Sequence, residues 1–374
     1  MSTELKVQKS SGLAAGLALF SMFFGAGNLL FPLLVGKTSG TETSSALVGL
    51  SISAVIFPLL GLIAMMLYGG DLKAFLARLG KWPAAGLLFV LYMSQGPLGA
   101  IPRLVTLMYA SVTPYFPDLS LFFFSALICA VVFFLTIRPS KMIQFIGVLL
   151  TPLLLLTLSA LFFFGLQQAP EVLPAVEGSA FYFKEGLKGG YQTLDLTAAL
   201  LFATVIIPHL ARGIEGSDSQ RQIRRKMIWA SLVAAGLLLF AYIGLTQLSA
   251  HHSWTLQGHI APEDLLHAIA FKILGPWGGL IATAAVFLAC LTTAISLAAV
   301  FSGYLEREWK IGFTRSLVLT LGVTALMATL GFSGIVKIWG PILEVLYPVL
   351  IVLCVFNIGR HFYQDTTSDS AQDF

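Results

Sequence analysis

Charge is what this chain has least of. Only 11% of its 374 residues are Asp, Glu, Lys or Arg, where a soluble domain carries about 25%. With 57% hydrophobic residues and a mean hydropathy of +0.87, this scarcity excludes a soluble globular domain and leaves a polytopic membrane protein. The formal net charge of +4 is small, so what matters is where the charges sit. Cysteine is scarce as well. Cys129, Cys290 and Cys354 each lie inside an apolar run, which reads as buried small hydrophobes and implies neither a disulfide framework nor a metal site. No His-Glu-x-x-His or Gly-x-Ser-x-Gly motif occurs, and the intramembrane charges are too few for a proton-transfer centre. An enzyme is not expected.

What the chain has in quantity is apolar runs. A bilayer crossing by a helix takes about 20 such residues. Ten spans follow, at about 12–35, 45–68, 84–110, 119–137, 142–165, 179–210, 227–248, 277–301, 314–331 and 335–357. Lys6 and Lys9 precede the first run as in a signal peptide, but the run continues and nine further spans follow. Lys and Arg mark the cytoplasmic loops. With the N-terminus inside, that side holds Lys6, Lys9, Lys73, Arg78, Lys81, Arg138, Lys141, Arg212, Arg221, Arg224, Arg225, Lys226, Arg307, Lys310, Arg315 and Arg360. The outer side holds only Lys37, Lys184, Lys188, Lys272 and Lys337. Both termini are therefore expected in the cytoplasm. The basic run from Arg221 to Lys226 is then a topology signal, and no nucleic-acid partner is expected. His251, His252, His259 and His267 share one outer loop, but their spacing fits no common metal-ligand pattern.

The most informative stretch is Ser21-Met22-Phe23-Phe24-Gly25-Ala26-Gly27-Asn28-Leu29-Leu30-Phe31-Pro32. Each glycine costs a helix about 1 kcal/mol relative to alanine. Unpaired backbone groups in hydrocarbon cost several kcal/mol more. Such a break is tolerated where the freed N–H and C=O groups line a protein cavity and bind something, as in the discontinuous helices of secondary transporters.

Ten spans divide as five plus five, and an odd number per half means that the second half enters the membrane inverted. Repeat one covers about 12–165 and repeat two about 179–357, followed by a cytoplasmic tail over about 358–374, in a single transporter domain of residues 1–374. The first span of each half should be the broken one. Span six supplies Gly186-Leu187-Lys188-Gly189-Gly190-Tyr191-Gln192-Thr193-Leu194-Asp195, an equally poor helix interior. Intramembrane carboxylates cost about 2.5 kcal/mol or more to insert, so Asp195 should have a partner.

Phe24 through Pro32 resembles the first-span signature of the BrnQ-type branched-chain amino acid:cation symporters, the LIVCS family. The likeness continues in Gln95-Gly96-Pro97-Leu98-Gly99-Ala100-Ile101-Pro102-Arg103, Arg138-Pro139-Ser140-Lys141 and Leu150-Thr151-Pro152-Leu153. It recurs in Gly190–Asp195, in Leu288-Ala289-Cys290-Leu291-Thr292-Thr293-Ala294-Ile295 and in Leu346-Tyr347-Pro348. The resemblance implies an all-α, LeuT-like fold of the APC superfamily, with ten transmembrane helices, a 5+5 inverted repeat and broken helices one and six. It implies Na⁺-coupled import of leucine, isoleucine and valine by alternating access, with methionine as a further candidate, in a bacterial inner membrane. Family members usually have twelve spans; the missing pair lies outside the five-plus-five core, so transport should survive. H⁺ coupling and a non-transporting amino acid sensor of the same fold remain alternatives. Membrane lipid and the amino acid substrate are the expected partners, and nothing in the residues speaks to the oligomeric state.

An amino acid zwitterion needs a separate partner for each of its parts. The N–H groups of Ala26 and Gly27, next to Gly25, start a half-helix and suit the carboxylate. Asn28 offers a hard oxygen to a cation beside it. By resemblance to LeuT-like transporters, the hydroxyls of Thr292 and Thr293 would join the carbonyls of Ser21 and Phe24 around Na⁺, oxygen ligands that suit a hard cation. Asp195 could meet the ammonium, the coupling ion, a proton or Arg103, or could cap the inner half-helix. Tyr191, Gln192 and Thr193 would contribute chiefly backbone carbonyls. Arg103 and Glu344, in the outer halves of spans three and ten, are expected to pair as an extracellular gate; the alternative is that Arg103 reaches to the outer interface.

Overall fold

The computed structural model describes residues 12–137, 149–167, 169–211, 219–256 and 260–370. Among them every regular element is a helix, without a strand. Lys6, Lys9, Arg138, Lys141, Arg212, His259, the Arg138–Lys141 block and the start of the fifth span (142–148) lie outside the described residues.

The first span is two helices, α1 (Gly12–Phe23) and α2 (Ala26–Ser39). The second is α3 (Thr43–Ser51) and α4 (Phe57–Leu67), joined without interruption by a π turn over Ile52–Ile56. After the short α5 (Leu72–Leu76), the third span divides into α6 (Lys81–Gln95) and α7 (Ala100–Val112). Then come α8 (Leu121–Thr136) and α9 (Thr151–Gln167). The sixth span is α10 (Ser179–Gln192) followed by α11 (Asp195–Ala211). The long α12 (Ser219–His252) leads to the short α13 (Leu265–Leu274), then α14 (Pro276–Trp309), α15 (Phe313–Ala328) and α16 (Gly331–Ser370).

Among the described residues, six helical stretches are long and apolar enough to cross a membrane: Ala26–Leu67, Lys81–Val112, Ser179–Ala211, Arg221–Thr255, Pro276–Trp309 and Gly331–His361. Shorter apolar helices cover Leu13–Phe23, Leu121–Thr136, Thr151–Gln167 and Phe313–Ala328. The last helix runs on to Ser370, so the segment read from sequence as a tail from 358 continues helical through most of its length.

The broken pair lies at the centre. Phe20 and Phe24 stack with ring centroids 5.1 Å apart, and Phe23 meets Phe202 of α11 edge-on at 5.6 Å. α12 packs along both α1 and α2, α10 along α3, and α14 along α7. Glycine makes these approaches possible, as it does between membrane helices generally. A Cβ on Gly186 would overlap the Ala46 carbonyl, and one on Gly190 the Ser53 hydroxyl at the π turn.

That contact moves the expected break in span six. Gly186, Gly189 and Gly190 stay helical, because their missing side chains are used to seat α10 on α3, on Val35 of α2 and on the π turn rather than to interrupt it. The interruption falls at Thr193 and Leu194, where Leu194 takes a left-handed φ of 71°. Such a conformation is uncommon for a non-glycine residue and needs outside support.

Candidate substrate and ion site at the helix breaks

Gly25 is the N-cap of α2, and its N–H donates to Asn28 Oδ1 at 3.1 Å. This is the reciprocal half of a capping box. The amide oxygen read from sequence as a cation ligand is thus turned to the helix cap. The other side of the Asn28 amide does the long-range work. Its Nδ2 lies 2.8 and 2.7 Å from the two oxygens of Asp195 and 2.6 Å from the Tyr242 hydroxyl. Tyr242 in turn donates to Asp195 Oδ2 at 2.6 Å. Asn28, Asp195 and Tyr242 are all essentially inaccessible.

Asp195 is the first residue of α11. Of the partners foreseen for it, Arg103 is not engaged; the carboxylate is held instead by side chains from α2 and α12. The Leu194 carbonyl just before it accepts from Gln95 Nε2 at 2.9 Å and from Thr197 Oγ1 at 2.7 Å. Gln95 also contacts Thr197 Oγ1. It ends α6, before a turn over Gly96–Gly99 that breaks span three. Trp339 of α16 pins that turn by donating to the Leu98 carbonyl at 2.7 Å.

Three breaks therefore meet. Gly25, Ala26, Gly27 and Asn28 line one cavity with Thr193, Leu194 and Asp195, and Gln95, Arg103, Leu104 and Thr293 complete its wall. Its volume is about 20 Å³, about the room one water needs. Loading anything larger requires the half-helices to move. Gly27 sets their separation, because a Cβ there would lie 2.8 Å from Thr193 Cα.

The hydroxyls of Thr292 and Thr293, on α14, converge on the Ser21 carbonyl at 3.0 and 3.1 Å. Thr292 also donates to its own helix, to the Ala289 carbonyl at 2.9 Å. The Ser21 hydroxyl is buried without a partner. Phe24 follows the last residue of α1, its N–H still bonded to the Phe20 carbonyl. Two hydroxyls of α14 and one carbonyl of α1 are thus brought together.

Other expectations are placed differently. Thr193 faces the cavity, its hydroxyl bonded back to the Gly190 carbonyl at 2.7 Å. Tyr191 stands outside that lining, its ring 4.8 Å from that of Tyr347. Gln192 presents its carbonyl to Arg103 Nη1 at 3.4 Å, while its own Oε1 has no partner.

The Arg103–Glu344 gate is not formed. Arg103 is 1% exposed and faces inward, whereas Glu344 is exposed on α16. Leu343, Leu346, Tyr347 and Leu350 turn the buried face of α16 to the protein, which rotates Glu344 away. The ion pair that joins separate helices among the described residues is Lys73–Glu308 instead. The histidines read as outer-loop residues lie on helices, and each meets a segment distant in sequence: His251 the Pro170 carbonyl, His252 that of Gly165 and His267 the Tyr115 hydroxyl.

Sequence reasoning missed Tyr242 and Gln95. Each is a polar side chain inside an apolar run, the available signal, since a buried tyrosine hydroxyl seeks a partner.

Solved structures share the fold. The chain superposes on MhsT in complex with L-phenylalanine with a TM-score of 0.65 at 16% identity, covering 94% of this chain and 90% of that one. It matches a Na⁺-coupled sialic acid symporter with a TM-score of 0.57 at 13% identity, over 94% and 79% of the two chains. At such identities the likeness concerns the fold, which is LeuT-like.

The sequence gives the family. Residues 8–372 match the family described as branched-chain amino acid transport protein, and this chain belongs to it. A putative branched-chain amino acid carrier protein of Staphylococcus epidermidis is 34% identical over 93% of this chain and 81% of its own length. The branched-chain amino acid permease BrnQ of Salmonella typhimurium is 30% identical over 95% and 82%. The protein is thus a membrane transporter and not an enzyme.

Proposed function

We propose that this chain imports leucine, isoleucine and valine, with methionine as a further substrate, by Na⁺ symport through alternating access. The observation that carries the reading is the meeting of two helix breaks at one buried cavity, tied by Asn28 and Asp195. The free N–H groups at the start of α2 suit a carboxylate, and Leu104 and Leu297 give the cavity an apolar side. One methylene in such a pocket is worth about 1–3 kcal/mol, so the aliphatic amino acids would share it.

Na⁺ would be held by the carbonyls of Ser21 and Phe24 with the hydroxyls of Thr292 and Thr293. The convergence of both threonines on α1 supports this site, as does the Na⁺ coupling of the sialic acid symporter that shares the fold. One Na⁺ entering with a zwitterion moves one charge, worth about 2.3 kcal/mol per 100 mV. That supports accumulation of well over tenfold. H⁺ coupling is the second reading, favoured by one observation, the fully buried carboxylate of Asp195 at the junction of the breaks.

In the membrane the chain would form ten crossings, five plus five inverted, with both termini in the cytoplasm of a bacterial cell. The breaks in the first span of each half support that symmetry. The bundle containing α1, α2, α10 and α11 would rock against the rest, opening the cavity to each side in turn.

Uptake of labelled leucine, isoleucine, valine and methionine into proteoliposomes under an imposed Na⁺ or H⁺ gradient tests this. Saturable uptake driven by Na⁺ is expected. Uptake driven only by protons would remove the Na⁺ site and give the coupling role to Asp195. Leucine binding without flux under either gradient would replace transport by sensing.

A further inference from the structure

Arg103 is the largest fully buried side chain among the described residues. Its guanidinium cannot shed its charge, yet its one hydrogen bond is the 3.4 Å contact from Nη1 to the Gln192 carbonyl. Nε and Nη2 have no partner at all. An uncompensated buried charge is among the costliest features a fold can keep.

The obvious counter-charge does not compensate it. Asp195 lines the same cavity, but its oxygens are taken by Asn28 and Tyr242, and no ion pair joins it to Arg103. Two opposite buried charges thus face one small space without neutralising each other. A molecule carrying both signs a short distance apart would complete both.

The placement also fixes which end goes where. The Gln192 carbonyl that touches Arg103 lies 3.1 Å from where a Cβ on Gly27 would stand. The guanidinium and the first turn of α2 therefore border the same carbonyl, and both present N–H donors to the cavity. A guanidinium fork matches a carboxylate edge to edge, which an ammonium cannot do.

We propose that Arg103 is a substrate ligand, its free N–H edge clamping the α-carboxylate of the transported amino acid against the start of α2. The ammonium then points toward Asp195. The assignment rests on the transport reading above and adds to it a requirement for a charged carboxylate on the substrate.

Equilibrium binding of labelled leucine to the purified full chain, displaced by leucine or by leucinamide, tests it. Leucinamide keeps the side chain and the ammonium and replaces the carboxylate by a neutral amide. The wild type should prefer leucine by about a hundredfold, as expected where charge-assisted bonds are lost. In Arg103→Gln leucine should weaken by tenfold or more, roughly the effect of one charge-assisted bond, while leucinamide changes little. The preference should therefore collapse.

A merely structural arginine would weaken both ligands alike and leave their ratio intact. Arg103→Lys keeps the charge and loses the fork, so its ratio should fall between the two; it also decides the matter if the glutamine variant does not fold. An unchanged ratio in the variants, or a wild type that takes leucinamide as readily as leucine, overturns the assignment while transport stands. A wild type that binds no leucine overturns the transport reading itself, and Arg103 loses its substrate with it.

Discussion

The side-chain amide of Asn28 lies across both oxygens of Asp195, at 2.8 and 2.7 Å, and so ties the break in the first span to the break in the sixth across 167 residues. The same asparagine caps its own half-helix through Gly25. One residue thus sets both the local start of α2 and its docking on α11. Any motion that loads the cavity must carry this contact along or break it.

Asn28→Ala takes from the buried carboxylate the amide that spans both of its oxygens. A loss of about 2–3 kcal/mol of stability is expected, together with loss of leucine uptake. Asp195→Asn keeps the shape and can still bond Asn28, so its melting temperature in detergent should fall less than its uptake does. Equal falls would assign Asp195 to folding alone.

Tyr242→Phe removes only the hydroxyl that donates to Asp195 at 2.6 Å. A destabilisation of about 1–3 kcal/mol follows from one lost bond to a charged group. Thermal unfolding of the purified variant checks it, and a shift indistinguishable from wild type would contradict the geometry.

Gly27→Ala places a methyl 2.8 Å from Thr193 Cα, at the closest approach of the two breaks. Overpacking of this kind costs about 1–3 kcal/mol, and uptake should drop steeply because the half-helices are wedged apart. Gly236→Ala, whose Cβ would meet nothing within 4 Å, is the silent control on α12.

Thr293→Ala deletes one of the two hydroxyls on the Ser21 carbonyl. The Na⁺ concentration for half-maximal uptake should rise about tenfold, equivalent to about 1.4 kcal/mol. Maximal uptake at saturating Na⁺ should change less. A Na⁺ dependence that does not move would take the ion away from α1 and α14.

Gln95→Leu removes the amide that holds the Leu194 carbonyl at 2.9 Å. The left-handed φ of 71° at Leu194 then loses a support. A stability loss of about 1–2 kcal/mol is expected for the lost bond, and hydrogen exchange should quicken at Asp195 and Leu196 more than elsewhere.

Much of this was legible in the chain itself. Scarce charge and long apolar runs dictate membrane-spanning helices, because backbone groups in hydrocarbon must bond within their own segment. Gly25-Ala26-Gly27-Asn28 announces a break for the same reason: those residues penalise a helix wherever they stand. Span six shows where such reasoning stops. Its glycines carry the same local penalty as those of span one, yet they remain helical because α3, Val35 of α2 and the π turn pack into the space they leave.

Arg103 and Glu344 make the point for side chains. Their positions along spans three and ten were readable as depth, but the direction each faces depends on how its helix is rotated against its neighbours. That rotation buries Arg103 and exposes Glu344. Tyr242 and Gln95 reach the breaks from helices far away in sequence, so no local pattern could name them as partners. The sequence by itself determined that the chain is built of apolar helices and that the first must fail beside Gly25, since propensity and backbone hydrogen bonding are local. Only the tertiary structure decided which failures meet, which charges stay unpaired and what the cavity can hold, because those depend on contacts between segments that share no sequence window.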